Sequence, residues 1–138
     1  GLRFSDVSKL KYSNICDGIV DIIQAKTKER VILNLHQDAL KLIGEVGKPD
    51  VTIFKLPSSA HCRKKLREWV SDAGIEKHIT WHCSRHSFAT MLTLQNENIM
   101  TVSKLLGHTS IMETQNYIRV AELSKQTAIK KIPSIFTT

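Results

Sequence analysis

The sequence predicts an α+β domain, mainly α-helical, with a small antiparallel β-sheet or hairpin. Three observations carry that prediction. Two short runs rich in β-branched residues, Ile19–Ile23 and Arg30–Leu35, flank the polar segment Gln24–Glu29, the pattern of two strands and their turn. The remaining ordered stretches place apolar residues three and four apart, opened by capping residues and closed by glycine. A length of 138 residues suits one domain able to bury roughly two thirds of its unfolded surface, and no repeat or Gly/Pro/Ser-rich linker divides it.

Taken in order, Ser5 is placed to cap a short helix with Val7 and Leu10 inward and Asp6 in its first turn, where a carboxylate suits the positive dipole end. Arg3 lies in the lead-in. Asp6, three residues later, can hold its guanidinium by paired hydrogen bonds, against the plainer alternative of a surface ion pair worth at most about 1 kcal/mol. The hairpin tip carries Lys26 and Lys28, long cations able to reach a phosphate or simply to protect a strand edge. Asp38–Val46 reads as a helix with Leu40, Ile43 and Val46 inward, closed by Gly47 and Lys48-Pro49. Val51–Phe54 is an apolar anchor in the connector that follows.

Ser59 caps the next helix, in which Leu66, Trp69, Val70 and Ala73 form the apolar stripe and Gly74 the stop. Arg63, Lys64, Lys65 and Arg67 crowd its first turns. Cations there oppose the helix dipole, so the cluster is either compensated by a phosphate backbone or is a solvated face. Arg85–Gln95 is a third helix with Phe88 and Met91 in the core and Ala89 allowing close approach. Met100–Leu106 is a shorter one, buried through Val102, Leu105 and Leu106. Gly107 supplies its left-handed stop and holds His108 in a tight turn. Ser110-x-x-Glu113 is a capping box that starts a helix at Ile111 and carries Tyr117. A last helix, Ala121–Ile132, ends at Pro133.

Twenty Lys+Arg against thirteen Asp+Glu give a formal net charge of +7. A polyanionic partner is favoured, nucleic acid foremost, with solubility alone as the plainer explanation. Cys16, Cys62 and Cys83 are scattered with no Cys-x-x-Cys spacing, so a reducing compartment is expected. No apolar run approaches the ~18 residues of a membrane span and no signal peptide is recognisable, so the expectation is a soluble, intracellular protein with no membrane partner. The chain opens at Gly1 with Leu2-Arg3 already inside a motif, and further residues upstream are expected.

His82, Arg85, His108 and Tyr117 are the residue types that attack on a phosphodiester requires: fixed donors for the negative charge that builds on phosphate oxygens, and a hydroxyl nucleophile. A metal site could be built from His82 and His86, four apart, with Cys83, Cys62 and His61. However, Cys83 stands where a zincin needs glutamate, and the spacings fit no zinc class. No metal is expected.

Five ordered blocks, Gly1-Leu2-Arg3-Phe4-Ser5-Asp6, Lys26-Thr27-Lys28-Glu29-Arg30, His82-x-x-Arg85-His86-Ser87-Phe88-Ala89-Thr90, Leu105-Leu106-Gly107-His108 and Tyr117, closely resemble the catalytic domain of the tyrosine recombinases, the phage-type and transposon integrases. The resemblance runs from Gly1 to about Tyr117. It implies that family's catalytic-domain fold, with residues 1–138 as a C-terminal catalytic domain lacking its core-binding domain and first catalytic helices. It implies site-specific breakage and rejoining of double-stranded DNA, for a phage or mobile element, through a covalent 3′-phosphotyrosyl intermediate and with no cofactor. By position Arg3, Arg85 and His108 would hold the phosphate, Lys26 would protonate the departing 5′ oxygen, His82 would be the base and Tyr117 the nucleophile. Asp6 and His86 would support them, and Lys28, Arg63, Lys64, Lys65 and Arg67 would contact DNA. Ser84 stands where the family usually has an apolar residue, and the short hairpin tip leaves Lys28 a rival to Lys26. The family also implies a homo-tetramer formed on DNA by exchange of the C-terminal helix, which the apolar tail Ala121–Ile132 suits. Accessory DNA-bending proteins and a bacterial cytoplasm, at the nucleoid, go with it. Two relatives of different activity stay open: a type IB topoisomerase and a non-catalytic DNA binder. These 138 residues alone are expected to bind DNA weakly and to recombine little.

Overall fold

The β-branched runs pair as the sequence predicts. In the computed structural model, which describes residues 1–129, β2 (Ile19–Ile23) lies antiparallel to β3 (Arg30–Asn34), with Val20 opposite Leu33 and Ile22 opposite Val31. Val20, Ile22 and Val31 share the buried face, while Ile19, Ile23 and Ile32 point outward, the period-two alternation of a half-buried sheet. A third strand, β1 (Ile15–Cys16), extends the sheet in the order β1-β2-β3. The joining turn Asp17-Gly18 has φ of 49° and 75°, both left-handed, as a two-residue hairpin requires. β1 was not anticipated from the sequence, because two residues are too few to show a periodicity.

Two apolar clusters form the interior. Leu10, Val20, Ile22 and Val31 make one, packed by Leu2, Ile53 and Phe54 among others. Ala89, Val102, Leu106 and Tyr117 make the other, flanked by Phe88 and Leu92. The second is built by α4 (Trp81–Leu94), α5 (Ile99–Leu106) and α6 (Met112–Ile129), each contributing a face. The clusters meet at the end of α5, where Gly107 adopts φ 63° and a Cβ on it would lie 2.7 Å from Val31 Cγ2. Leu106 and Val102 are fully buried, each worth about 1.5–3 kcal/mol of burial.

Several boundaries differ from the sequence expectation. α1 (Phe4–Val7) is preceded by Arg3 at its cap position, not Ser5, and stops before Leu10, which is buried from a loop. Asp6 does not hold Arg3: its Oδ1 accepts from the Ala25 N–H at 2.9 Å, because the buried face of so short a helix meets the hairpin. α2 (Gln37–Ile43) is capped by His36 and ends at Gly44, whose φ is 70°. It closes three residues before the expected glycine, and Val46, expected inward, is exposed. α3 (Ser59–Asp72) is capped by Ser58, whose Oγ accepts from the His61 N–H. Trp69 and the C-cap residue Ala73 are exposed, and Cys62 is the buried residue of the helix. The expected stripe is therefore displaced toward the helix start.

α4 begins at Trp81, four residues before the expected Arg85. Cys83 takes the place of the usual Glu or Gln in reaching back to the cap, accepting from the Thr80 N–H at 3.3 Å. Met91 is exposed rather than core; Thr93 is buried instead, its hydroxyl bonded to the Ala89 carbonyl. Tyr117 lies on α6, which is one helix through Ile129 instead of two. The expected end at Ile132-Pro133 lies outside the described residues. No helix among them is long and apolar enough to cross a membrane.

Candidate active site

The site is assembled around α4. His82 lies in its first turn, Arg85 one turn on and His86 one residue further, so the helix period brings all three toward one side. The rings of His82 and His86 meet edge to face at 4.6 Å. His86 Nδ1 is 2.7 Å from the Tyr117 hydroxyl, which delivers α6 to the cluster. Arg3 and Lys26 complete it: both cations, with Arg85, act on His82. Lys28, at the same hairpin tip, has a left-handed backbone with φ 61°.

Arg85 is only 2 % exposed yet remains a guanidinium. Nη2 donates to the Leu106 carbonyl at 2.6 Å and Nη1 to the Gly1 carbonyl at 2.8 Å. Burial, then the Arg3 charge, holds its pKa down to about 10. Among the described residues neither Arg3 nor Arg85 has a carboxylate within 4.0 Å. A buried cation without a counter-charge is costly unless an anion arrives. Arg3, His82, Arg85 and Arg63 line one cleft of about 360 Å³ in which such an anion fits.

His82 and His108 are biased toward the neutral form. Burial lowers the pKa of His82, and the charges of His86, Arg85, Arg3 and Lys26 lower it further. His108, in the turn after Gly107, is lowered by burial and then by Arg85, with Glu113 opposing. Its Nδ1 is fixed at 2.7 Å from Thr114 Oγ1 and its Nε2 lies 3.8 Å from the Glu113 carboxylate. Burial raises the pKa of the Tyr117 phenol, and Arg85 pulls the other way without prevailing. An additional positive group beside the phenol, or removal of its proton by a histidine, is what its activation needs.

Of the α3 cations, Lys64 and Lys65 are occupied at 4.0 and 2.8 Å from the Glu68 carboxylate. Arg63 reaches the cleft, and Arg67 is exposed. Two residues of the site were not anticipated from the sequence. Gln24 is fully buried at the end of β2. Its Oε1 accepts from Arg3 Nη1 and, at 2.9 Å, from Thr27 Oγ1, while its Nε2 donates to the Leu106 carbonyl at 2.8 Å. Thr114 is also fully buried; its spacing of three from Tyr117, which places both on one side of α6, was the available clue. Asp6 Oδ2 is buried without a hydrogen-bond partner, and the Asp6 charge acts on Arg85. Among the described residues no three His, Cys, Asp or Glu side chains gather as a metal site would require.

The family model described as the phage integrase family matches residues 1–123. The chain belongs to that family. Its members among curated proteins include a tyrosine recombinase of Thermosipho africanus, 43% identical over 96% of this chain and 50% of its own length. Another, from Agathobacter rectalis, is 31% identical over 91% of this chain and 45% of its own length. The chain thus spans about half the length of the curated relatives it matches. Among solved structures, the XerA recombinase superposes with a TM-score of 0.73 at 21% identity, over 96% of this chain and 53% of that one. The catalytic domain of bacteriophage HP1 integrase gives 0.67 at 22% identity, over 95% and 74%. The XerH site-specific recombinase bound to palindromic difH substrate, a post-cleavage complex, gives 0.67 at 21% identity, over 94% and 42%. These structural likenesses establish the integrase catalytic-domain fold.

Proposed function

We propose that residues 1–138 are the catalytic unit of a site-specific DNA recombinase that breaks and rejoins duplex DNA through a 3′-phosphotyrosyl bond at Tyr117. The observation that carries this reading is a cleft lined by Arg3, Arg63 and Arg85, none with a carboxylate within 4.0 Å among the described residues, together with a tyrosine hydroxyl already paired to a histidine of the same helix as Arg85. Family membership supports it, as does a structural relative described as bound to a DNA substrate.

In the step proposed, the Tyr117 oxygen bonds to phosphorus and the bond from phosphorus to the 5′ oxygen breaks. The phenolic proton passes to a histidine, and the departing oxygen takes a proton from Lys26. One phosphodiester becomes another, so resealing by reversal needs no external energy source. Arg3, Arg85 and His108 stabilise the charge that develops on the non-bridging oxygens, each donor worth about 10²–10³ in rate. The free N–H groups at the start of α4, beside His82, favour the same anion.

The family resemblance names His82 as base. The direct 2.7 Å contact favours a second assignment, His86, for the proton held by Tyr117 in the DNA-free state. Arg63 extends the phosphate track from the cleft onto α3, with Lys28, Lys64, Lys65 and Arg67 as outer contacts. The tetramer, its C-terminal helix exchange, the accessory bending proteins, the nucleoid location and a phage or mobile-element origin are carried by the resemblance.

A nicked suicide substrate, from which the cleaved end diffuses away, tests the reading. The full-length protein should accumulate a covalent adduct in the presence of a chelator, and Tyr117→Phe should form none. Plasmid relaxation without recombinant product would favour the topoisomerase alternative. Binding with no adduct would favour the non-catalytic one.

A further inference from the structure

Resting on the strand-cleavage reading, we propose that Gln24 is a positioning residue that locks the hairpin lysine to the two phosphate-binding arginines, so that general acid and phosphate clamp are set together. Glutamine is mostly a surface residue, yet this one is fully buried, and the bonds at its amide run to three separate elements. Oε1 receives Arg3 Nη1 from the lead-in to α1 and Thr27 Oγ1 from the hairpin tip. Nε2 donates to the Leu106 carbonyl at the end of α5, and that same carbonyl accepts Arg85 Nη2. Both arginines are therefore one hydrogen bond or one shared acceptor away from a single amide.

The backbone of Gln24 is fixed as well: its N–H donates to the Glu29 carbonyl, and its own carbonyl accepts from Lys28 N–H at 3.0 Å. These bonds close the turn that holds Lys26. Gly107 makes room for the arrangement, since a Cβ there would stand 2.6 Å from Gln24 Oε1. The amide's polarity is necessary. A carboxylate would keep the acceptor for Arg3 but turn an oxygen against the Leu106 carbonyl, and an apolar side chain would take the acceptor from Arg3 Nη1 and Thr27 Oγ1 and leave the Leu106 carbonyl to Arg85 alone.

The test uses single-turnover cleavage by the full-length protein of two nicked substrates, one ordinary and one with sulfur at the 5′ bridging position. A thiolate leaves without protonation because an alkyl thiol's pKa is near 8.5, so the second substrate does not need Lys26. Gln24→Met, close in volume, and Gln24→Glu should each lose about 100-fold on the ordinary substrate, the scale of a misplaced reacting group. On the sulfur substrate each should recover at least about tenfold of that loss. Lys26→Ala should recover nearly all of its loss, and Arg3→Ala little. A merely structural role predicts equal loss on both substrates for the Gln24 variants. That result, or no loss from either variant, would overturn the inference while adduct formation by the unsubstituted protein keeps the cleavage reading. No adduct from the unsubstituted protein on either substrate would overturn the cleavage reading and the inference with it.

Discussion

At the scale of single residues, the His86–Tyr117 contact is the feature on which mechanism turns. Tyr117 is 7 % exposed and its hydroxyl is held at 2.7 Å, so the proposed attack on DNA requires that bond to be exchanged for contacts to the phosphate. Tyr117→Phe should abolish cleavage while costing only about 0.5–1.5 kcal/mol of stability, the worth of one hydrogen bond, as urea unfolding would measure. The histidines set a pH dependence. His82 and His108 have folded pKa values below their ordinary one, so the unfolded chain takes up their protons first. Their contribution is fully present above the unfolded value of about 6.5 and is lost as pH falls from there through the folded values. Unfolding free energy should decline on acidification below pH 6.5, and His108→Gln should flatten that decline. A curve that rises on acidification, or one unchanged by the substitution, would contradict the assignment. Arg3, Lys26, His82, Arg85, His108 and Tyr117 could be nominated from the sequence because they sit in ordered motifs. Gln24 could not, since nothing in a polar turn marks which side chain will be buried by an element 82 residues away.

At the scale of elements, the hairpin and the turn after α5 are the parts that place chemistry. Lys28 carries φ 61°, which costs a non-glycine residue roughly 1–2 kcal/mol. Glycine would relieve this but lose about 0.5–1 kcal/mol through unfolded-state entropy. Lys28→Gly should therefore leave the melting temperature within a few degrees and cleavage within a few-fold, whereas Lys26→Ala should lose cleavage by orders of magnitude. The reverse ranking in a single-turnover assay would make Lys28 the acid. Gly107→Ala meets both a left-handed φ and the Gln24 and Val31 side chains. It should cost more than about 1 kcal/mol in urea unfolding and slow cleavage together; a neutral result would mean that the close approach is not maintained in solution. The strands, α5 and its glycine stop were readable because period and capping agree locally. The start of α4 was misplaced because the capping box of Thr80 is completed by Cys83, where glutamate or glutamine is the usual signal. The Trp69 stripe was misplaced because helical spacing identifies a face without saying whether anything in the domain covers it.

At the scale of the molecule, a net charge of +7 is distributed so that the arginines at the cleft have no carboxylate within 4.0 Å among the described residues, while Lys64 and Lys65 on α3 are paired to Glu68. DNA affinity should fall steeply with salt. Arg63→Ala should reduce the slope of log affinity against log salt by about 1, and Lys65→Ala by less, as fluorescence anisotropy would record; equal effects would place the backbone along the helix surface instead of at the cleft. The α+β architecture was legible from the sequence, and so was the family, through the order of five motifs. The division of the interior into two clusters joined at Gly107 was not, because it depends on which faces meet. The central claim is that Tyr117 becomes joined to DNA, and its most direct test is mass spectrometry of the adduct after nuclease and protease digestion. The account predicts a nucleotide attached through its 3′ phosphate to the peptide containing Tyr117. Attachment to any other residue, or through a 5′ phosphate, would contradict it.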